Sequence, residues 1–175
     1  QISPFASPLC EPVDFKRPKN NDTFKLLFVG SMSQRKGLAD VFDAMKLLKG
    51  EPISLSILGQ PSMPMDFYRK QLAEFAYFPP CPNSKVREIM KTHDALVLPS
   101  ILEGRALVQQ EALSCGLPII VTPNAGGKDL VDEGITGHLI PIRSPEKIAT
   151  AIRTLIAERK NKEEIQKLCQ KKAKQ

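Results

Sequence analysis

Two glutamates, Glu103 and Glu111, stand with seven residues between them around the start of a stretch that reads as a helix near Arg105–Cys115. Glu103 falls just before that helix and Glu111 about two turns inside it. At ~1.5 Å of rise per residue their carboxylates lie roughly 10 Å apart along the axis. That is too far for a shared proton, but comparable with the span from a sugar across a diphosphate to a ribose. Between them, the amides of Ala106, Leu107 and Val108 form a helix N-terminus, which suits phosphate because free N–H groups and the helix dipole point the same way. Carboxylates in turn accept well from sugar hydroxyls. The same two residues also read as surface charges favoured in the first turns of a helix.

Two further loops carry compatible chemistry. Gly30-Ser31-Met32-Ser33-Gln34-Arg35-Lys36-Gly37 follows an apolar run. Gly30 lets backbone approach a ligand, the helix opening near Gly37 offers free N–H groups, and Arg35 and Lys36 add two cations suited to a diphosphate. The loop is neither a P-loop nor Gly-x-Gly-x-x-Gly, which disfavours a dinucleotide oxidoreductase. An ordinary strand–helix turn is the competing reading. Thr122-Pro123-Asn124-Ala125-Gly126-Gly127-Lys128-Asp129 is a second anion-friendly turn, with adjacent glycines before a helix and Lys128 close by. One glycine loop is weak evidence; three at successive strand ends converge on one crevice.

The elements that must position these loops alternate. Phe24–Val29, Ile53–Leu58, Ala95–Leu98, Ile119–Val121 and His138–Ile140 are apolar runs expected as strands, with Ala76–Phe78 as a short one. Helical spacing is expected over Gly37–Lys49 (Leu38, Val41, Phe42, Met45, Leu48) and over residues 63–76. Further helices are expected from Asn83, as a cap, to about Thr92, and from Pro145 through Ile156. Such alternation predicts an α/β fold, a Rossmann-like doubly wound parallel sheet with helices on both faces. Ligands then bind beyond the carboxyl ends of the strands, where all three loops fall. Residues 1–22, with Pro4, Pro8, Pro12 and Pro18, read as an extended connector, 23–158 as the binding domain, and 159–175 as a basic helical tail.

Composition narrows the rest. The chain has 175 residues, 42% of them hydrophobic and 25% charged, enough for one ordinary domain. The net charge of +6 suits an anionic partner. Much of the excess lies in Lys162, Lys167, Lys171, Lys172 and Lys174, which read as a solvated helix face. With no Trp and few aromatics, a stacking surface for single-stranded nucleic acid is disfavoured. Cys10, Cys81, Cys115 and Cys169 are scattered, and His93 and His138 are far apart. Neither a zinc site nor a disulfide framework is expected, and reduced cytosolic thiols are the default. His93 and His138 fall outside the motif loops and read as structural or surface residues. The chain has no membrane-spanning run and no signal-peptide pattern, and lacking an initiator Met it reads as a fragment.

At Leu98-Pro99-Ser100, Glu103-Gly104, Glu111-Ala112, Cys115-Gly116-Leu117-Pro118, Gly126-Gly127 and Gly137 the sequence resembles the retaining, GT-B-fold glycosyltransferases of the large group 1 family (family 4). The likeness runs from about Phe24 to Ile156 and includes the family's spacing of the two glutamates and its Gly-to-Lys-Gly loop at Gly30–Gly37. Two positions depart from the pattern. Arg105-Ala106 stand where Phe-Gly is usual, and Ser31 stands where many members have Arg, a role Arg35 can take.

The resemblance implies roles residue by residue. Lys36, helped by Arg35, would neutralise the donor diphosphate, with Gly30 and Ser31 beside it. Glu103 would hold hydroxyls of the transferred sugar and stabilise positive charge developing at its anomeric carbon. Glu111 would bind the ribose. Amides of Ala106, Leu107, Gly126 and Gly127 would contact phosphate or sugar, Arg105 would alter donor contacts, and the base would sit near Gly59 and Phe78-Pro79. The implied reaction is transfer of a hexose from a nucleoside-diphosphate sugar to an acceptor hydroxyl with retention, in cell-surface polysaccharide or glycolipid synthesis, without metal or other cofactor. The sugar or lipid-linked acceptor would be held by an N-terminal domain outside this chain, so the fragment alone is expected to bind nucleotide weakly and transfer little sugar. A cytoplasmic location, with peripheral association of the full enzyme at the inner face of a membrane, is the matching expectation. Alternatives are a non-catalytic GT-B-like binding or scaffold module and a related synthase or phosphorylase of the sucrose or trehalose type. A nucleic-acid-binding domain would show steep salt dependence and rests on charge alone; no nucleic-acid partner is expected.

Overall fold

In the computed structural model, which describes residues 23–103 and 107–175, the apolar runs become a single six-stranded parallel sheet. The strands are β1 (Phe24–Val29), β2 (Ile53–Leu58), β3 (Ala76–Phe78), β4 (Ala95–Leu98), β5 (Ile119–Val121) and β6 (Gly137–Leu139), in the spatial order β3-β2-β1-β4-β5-β6. Every residue of β4 and β5 is buried, as expected where helices cover both faces and each strand has parallel neighbours. The order reverses between β1 and β4, so the loops after these two strands flank the switch point, where such sheets bind ligands.

The helices are α1 (Leu38–Leu47), α2 (Met65–Gln71), α3 (Asn83–Lys91), α4 (Leu107–Ser114), α5 (Pro145–Ala157) and α6 (Lys162–Lys172). α1 packs on α5, and α4 on α6. Gly37 adopts φ 74°, separating a short 3-10 turn at Gln34–Lys36 from α1. The helical spacing seen from Gly37 therefore begins one residue later and ends at Leu47.

α2 stops well short of residue 76. Leu72 turns extended, and the Arg69 guanidinium donates to the carbonyls of Ala73 and Phe75 while lying 3.8 Å from the centre of the Phe75 ring. Phe75 stacks on Phe42 with ring centres 5.6 Å apart. Burying that ring outweighs the helical propensity of 72–76. Asn83 does not cap α3. It is the first helical residue, after Pro82, and its side chain points elsewhere. β6 begins at Gly137, one residue ahead of the expected run, because Gly137 pairs with Ile119 at a separation only glycine allows: a Cβ there would lie 1.9 Å from the Ile119 carbonyl oxygen.

The tail is joined to the body. The Lys162 ammonium pairs with the buried Asp94 carboxylate, whose other oxygen accepts from the Lys25 amide at 2.8 Å. Lys172 reaches Asp132 at 2.7 Å. Two of the lysines expected on a solvated face are thus tied down, while Lys167, Lys171 and Lys174 stay exposed. The connector assigned to 1–22 lies outside the described residues. Among the described residues no helix is long and apolar enough to cross a membrane.

Candidate functional site

The loops after β1, β4 and β5 form one hydrogen-bonded unit. The Ile101 amide donates to the Arg35 carbonyl at 2.9 Å, bridging the switch point. The Glu103 amide donates to the Asn124 carbonyl at 3.1 Å, and the Asn124 side chain returns a bond to the Ile101 carbonyl at 3.0 Å. The Thr122 hydroxyl donates to the Ser100 carbonyl. At the other flank, a Cβ on Gly59 would lie 1.8 Å from the Gly30 carbonyl oxygen, so the ends of β1 and β2 touch backbone to backbone. The three loops singled out from sequence are therefore neighbours.

Within this unit the Lys36 ammonium is ion-paired with the Glu103 carboxylate. Their side chains are only 11% and 16% exposed, and Ser100 Oγ donates to the second Glu103 oxygen at 3.1 Å. The Lys36 stem runs over Gly30, where a Cβ would lie 3.5 Å from its Cε. Arg35 is exposed beside it, and Ser31 Oγ shares a hydrogen bond with Ser33 Oγ at 3.1 Å. The site thus opposes one cation and one carboxylate at the switch point, with a second cation at the rim. Arg105 and Ala106 lie outside the described residues.

Further along α4, Glu111 is half-buried at the start of α3, where the Asn83 side-chain amide donates to it at 3.4 Å. Burial raises its carboxyl above the ordinary glutamate value, and the Arg87 guanidinium partly offsets this. Leu107, the first residue of α4, is exposed. The carbonyl of Gly59 accepts from the Tyr77 hydroxyl at 3.2 Å, and Phe78 is half-buried beside it at the end of β3.

Gln109 was not singled out from sequence, yet it shapes the glycine turn. It is fully buried in α4, its Nε2 donates to the Ala125 carbonyl at 2.9 Å, and its Oε1 has no partner among the described residues. A Cβ on Gly127 would sit 1.5 Å from that Oε1. Gly127 has φ −115°, which any residue adopts, so space rather than conformation requires glycine. Gly127→Ala is expected to cost about 1–3 kcal/mol by overpacking. Combining it with Gln109→Ala should cost about 1 kcal/mol or more less than the sum of the two single changes, measured by denaturant unfolding. Strict additivity would show that the two residues do not compete for the same space. The available signal for Gln109 was a polar residue on the same helix as the core positions Ala112 and Leu113. Ser100 and Asn124 offered none, since their partners are set by loop geometry.

The remaining polar groups lie elsewhere. His93 is buried, with Nδ1 2.7 Å from the Ile89 carbonyl, and His138 pairs through Nδ1 with Glu133 at 2.7 Å. Among the described residues no three His, Cys, Asp or Glu side chains gather closely enough to hold a metal ion. A cleft of about 1120 Å³ opens toward the amino ends of β1 and β2, beside Lys25, Ser54 and His93, and of the candidate donor-site residues above only Phe78 lines it.

A doubly wound parallel sheet with strand order 3-2-1-4-5-6, an ion pair at its switch point and a second carboxylate along the next helix is a Rossmann-like α/β domain. The family model described as "Glycosyl transferases group 1" matches residues 11–175, and the chain belongs to that family. D-inositol 3-phosphate glycosyltransferase of Paenarthrobacter aurescens (strain TC1) is 28% identical over 158 residues, covering 84% of this chain and 39% of that protein. The chain thus spans about two fifths of the length of the curated relatives it matches. Two solved structures share the fold. The C-terminal domain of a group 1 family glycosyl transferase (LpcC) from Francisella tularensis superposes with TM-score 0.74 at 18% identity, covering 86% of this chain and 84% of that one. Anabaena HepE in complex with UDP-glucose superposes with TM-score 0.76 at 19% identity, covering 86% and 44%.

Proposed function

We propose that this domain binds the nucleoside-diphosphate-sugar donor for a retaining hexosyl transfer to an acceptor hydroxyl, in polysaccharide or glycolipid synthesis. The observation that carries the proposal is the Lys36–Glu103 pair at the switch point, bracketed by the Gly30 and Gly127 turns. Lys36 and Arg35 meet the diphosphate and offset the charge that grows on it as the glycosidic bond breaks. Glu103 accepts from hydroxyls of the sugar and faces the positive charge developing at its anomeric carbon. Glu111 accepts from the ribose, and the base lies toward Gly59 and Phe78. These subsites follow the sheet from β3 toward β5, an extended track suited to an extended donor. With cations and amides already in place, the leaving group requires no divalent metal. The acceptor is held by a second domain across the cleft, and the complete enzyme works at the cytoplasmic side of a membrane.

Support for a nucleotide-sugar ligand comes from the likeness to HepE, which was solved in complex with UDP-glucose. The test is calorimetric titration of the chain with UDP, GDP and ADP and with their hexose conjugates. One base is expected to bind selectively, and Lys36→Ala to weaken it at least tenfold, the value of one charge-assisted contact. Absence of binding by every nucleotide would overturn the proposal.

A further inference from the structure

We infer that the Lys36–Glu103 ion pair is a selector: it admits a diphosphate that carries a sugar and resists a bare one. The inference rests on the donor-site assignment above and adds what the two residues do to each other. The Lys36 side chain is only 11% exposed, with Gly30 along its stem and the Glu103 carboxylate at its tip. A phosphate oxygen arriving there competes with that carboxylate for the ammonium and displaces it. Once displaced, Glu103 keeps the Ser100 hydroxyl but loses its cation while remaining mostly shielded from water. An unpaired, partly buried carboxylate is unfavourable. Sugar hydroxyls arriving with the diphosphate replace the lost donor, whereas a bare diphosphate leaves the carboxylate stranded. The pair therefore weakens binding of the spent nucleotide and favours its release.

An ammonium has three N–H groups, so the opposing geometry is Lys36 holding carboxylate and phosphate together. The two geometries predict opposite effects of neutralising Glu103. If the groups compete, Glu103→Gln frees Lys36 and tightens a bare diphosphate. If they share, it leaves affinity unchanged or lowers it.

Inorganic pyrophosphate is the probe, because it needs no knowledge of the base. Its affinity is measured by calorimetry for the unaltered chain, Glu103→Gln, Glu103→Ala, Lys36→Met and the Lys36→Met/Glu103→Gln double variant, with folding checked by thermal unfolding. Both Glu103 variants are expected to bind pyrophosphate about tenfold more tightly, within the usual range of coupling between two sites. In the Lys36→Met background the same change should have no effect, since no cation remains to be freed. Equal or weaker binding by the Glu103 variants overturns the inference. So does a gain that persists without Lys36, which would mean simple repulsion between carboxylate and phosphate. If the unaltered chain and all variants bind neither pyrophosphate nor any nucleotide, the donor-site assignment falls with it. If the unaltered chain binds a nucleotide and only the Glu103 gain is missing, that assignment stands and the selector alone fails.

Discussion

Gly37→Ala is expected to destabilise the domain by about 2–5 kcal/mol and to abolish the nucleotide binding proposed for it. Two costs combine. Gly37 holds φ 74°, a left-handed conformation that costs a residue with a Cβ roughly 1–2 kcal/mol. The added Cβ would also lie 2.1 Å from the Pro99 carbonyl oxygen and 2.8 Å from its carbon. These are backbone atoms, so no side-chain rotation relieves the clash, and overpacking adds about 1–3 kcal/mol. Against a total stability of about 5–15 kcal/mol for a domain, that is a large fraction. The functional loss follows from where relief must occur. Pro99 opens the loop that carries Glu103, and that loop is held to the Lys36 loop by the bond from the Ile101 amide to the Arg35 carbonyl. Pushing the loops apart breaks the bond and separates Lys36 from Glu103. Gly50→Ala is the control: φ 91° with nothing within 4 Å of the added carbon should cost only the conformational part, about 1–2 kcal/mol. Denaturant unfolding of both variants checks the difference; equal costs would mean that contact with Pro99 contributes nothing.

Gly37 also shows what the sequence discloses. Its place before an amphipathic run marks the start of a helix, β4 and β5 are legible because both faces are apolar, and β1 and β2 because they are short, mostly apolar runs closed by glycine. The parallel alternation then fixes which end of the sheet carries the loops. What local pattern does not contain is the partner of each loop residue. Lys36 and Glu103 are 67 positions apart, as two separate candidates for ligand contact, and only the strand order that places β1 beside β4 makes them an ion pair. Gln109 and Gly127 meet for the same reason. α2 ends early because Phe75 has a place on Phe42 in the core, a gain invisible to helical periodicity. Asn83 has the composition of a cap, but Pro82 before it fills the N-terminal position and frees its amide for Glu111.

Glu111→Gln is expected to make the unliganded domain more stable at neutral pH and to weaken the proposed nucleotide binding about 100-fold. The two effects share one cause. Burial beside α3 raises the Glu111 carboxyl above its ordinary value despite Arg87, so the fold disfavours the ionised form. A raised carboxyl penalises the folded state fully above its folded pKa; the penalty declines as pH falls through that value and is gone below the unfolded pKa. The glutamine variant carries no such penalty, so its advantage should be present at pH 7 and vanish as the pH drops below about 4, the unfolded range of a glutamate. Binding runs the other way. The ionised carboxylate, which accepts a long bond from Asn83 and is favoured by Arg87, has lone pairs for the two ribose hydroxyls of the proposed donor. Charge-assisted bonds of this kind are worth about 1.5–3 kcal/mol each, and a neutral amide replaces one acceptor with a donor. Because the nucleotide favours the ionised form, affinity in the unaltered domain should fall as pH falls through the raised pKa, while the variant's weak affinity stays flat. Thermal unfolding and calorimetry across pH 4–8 separate the two effects. A variant that gains stability without losing affinity would remove Glu111 from the binding site and leave it a carboxylate that merely strains the fold.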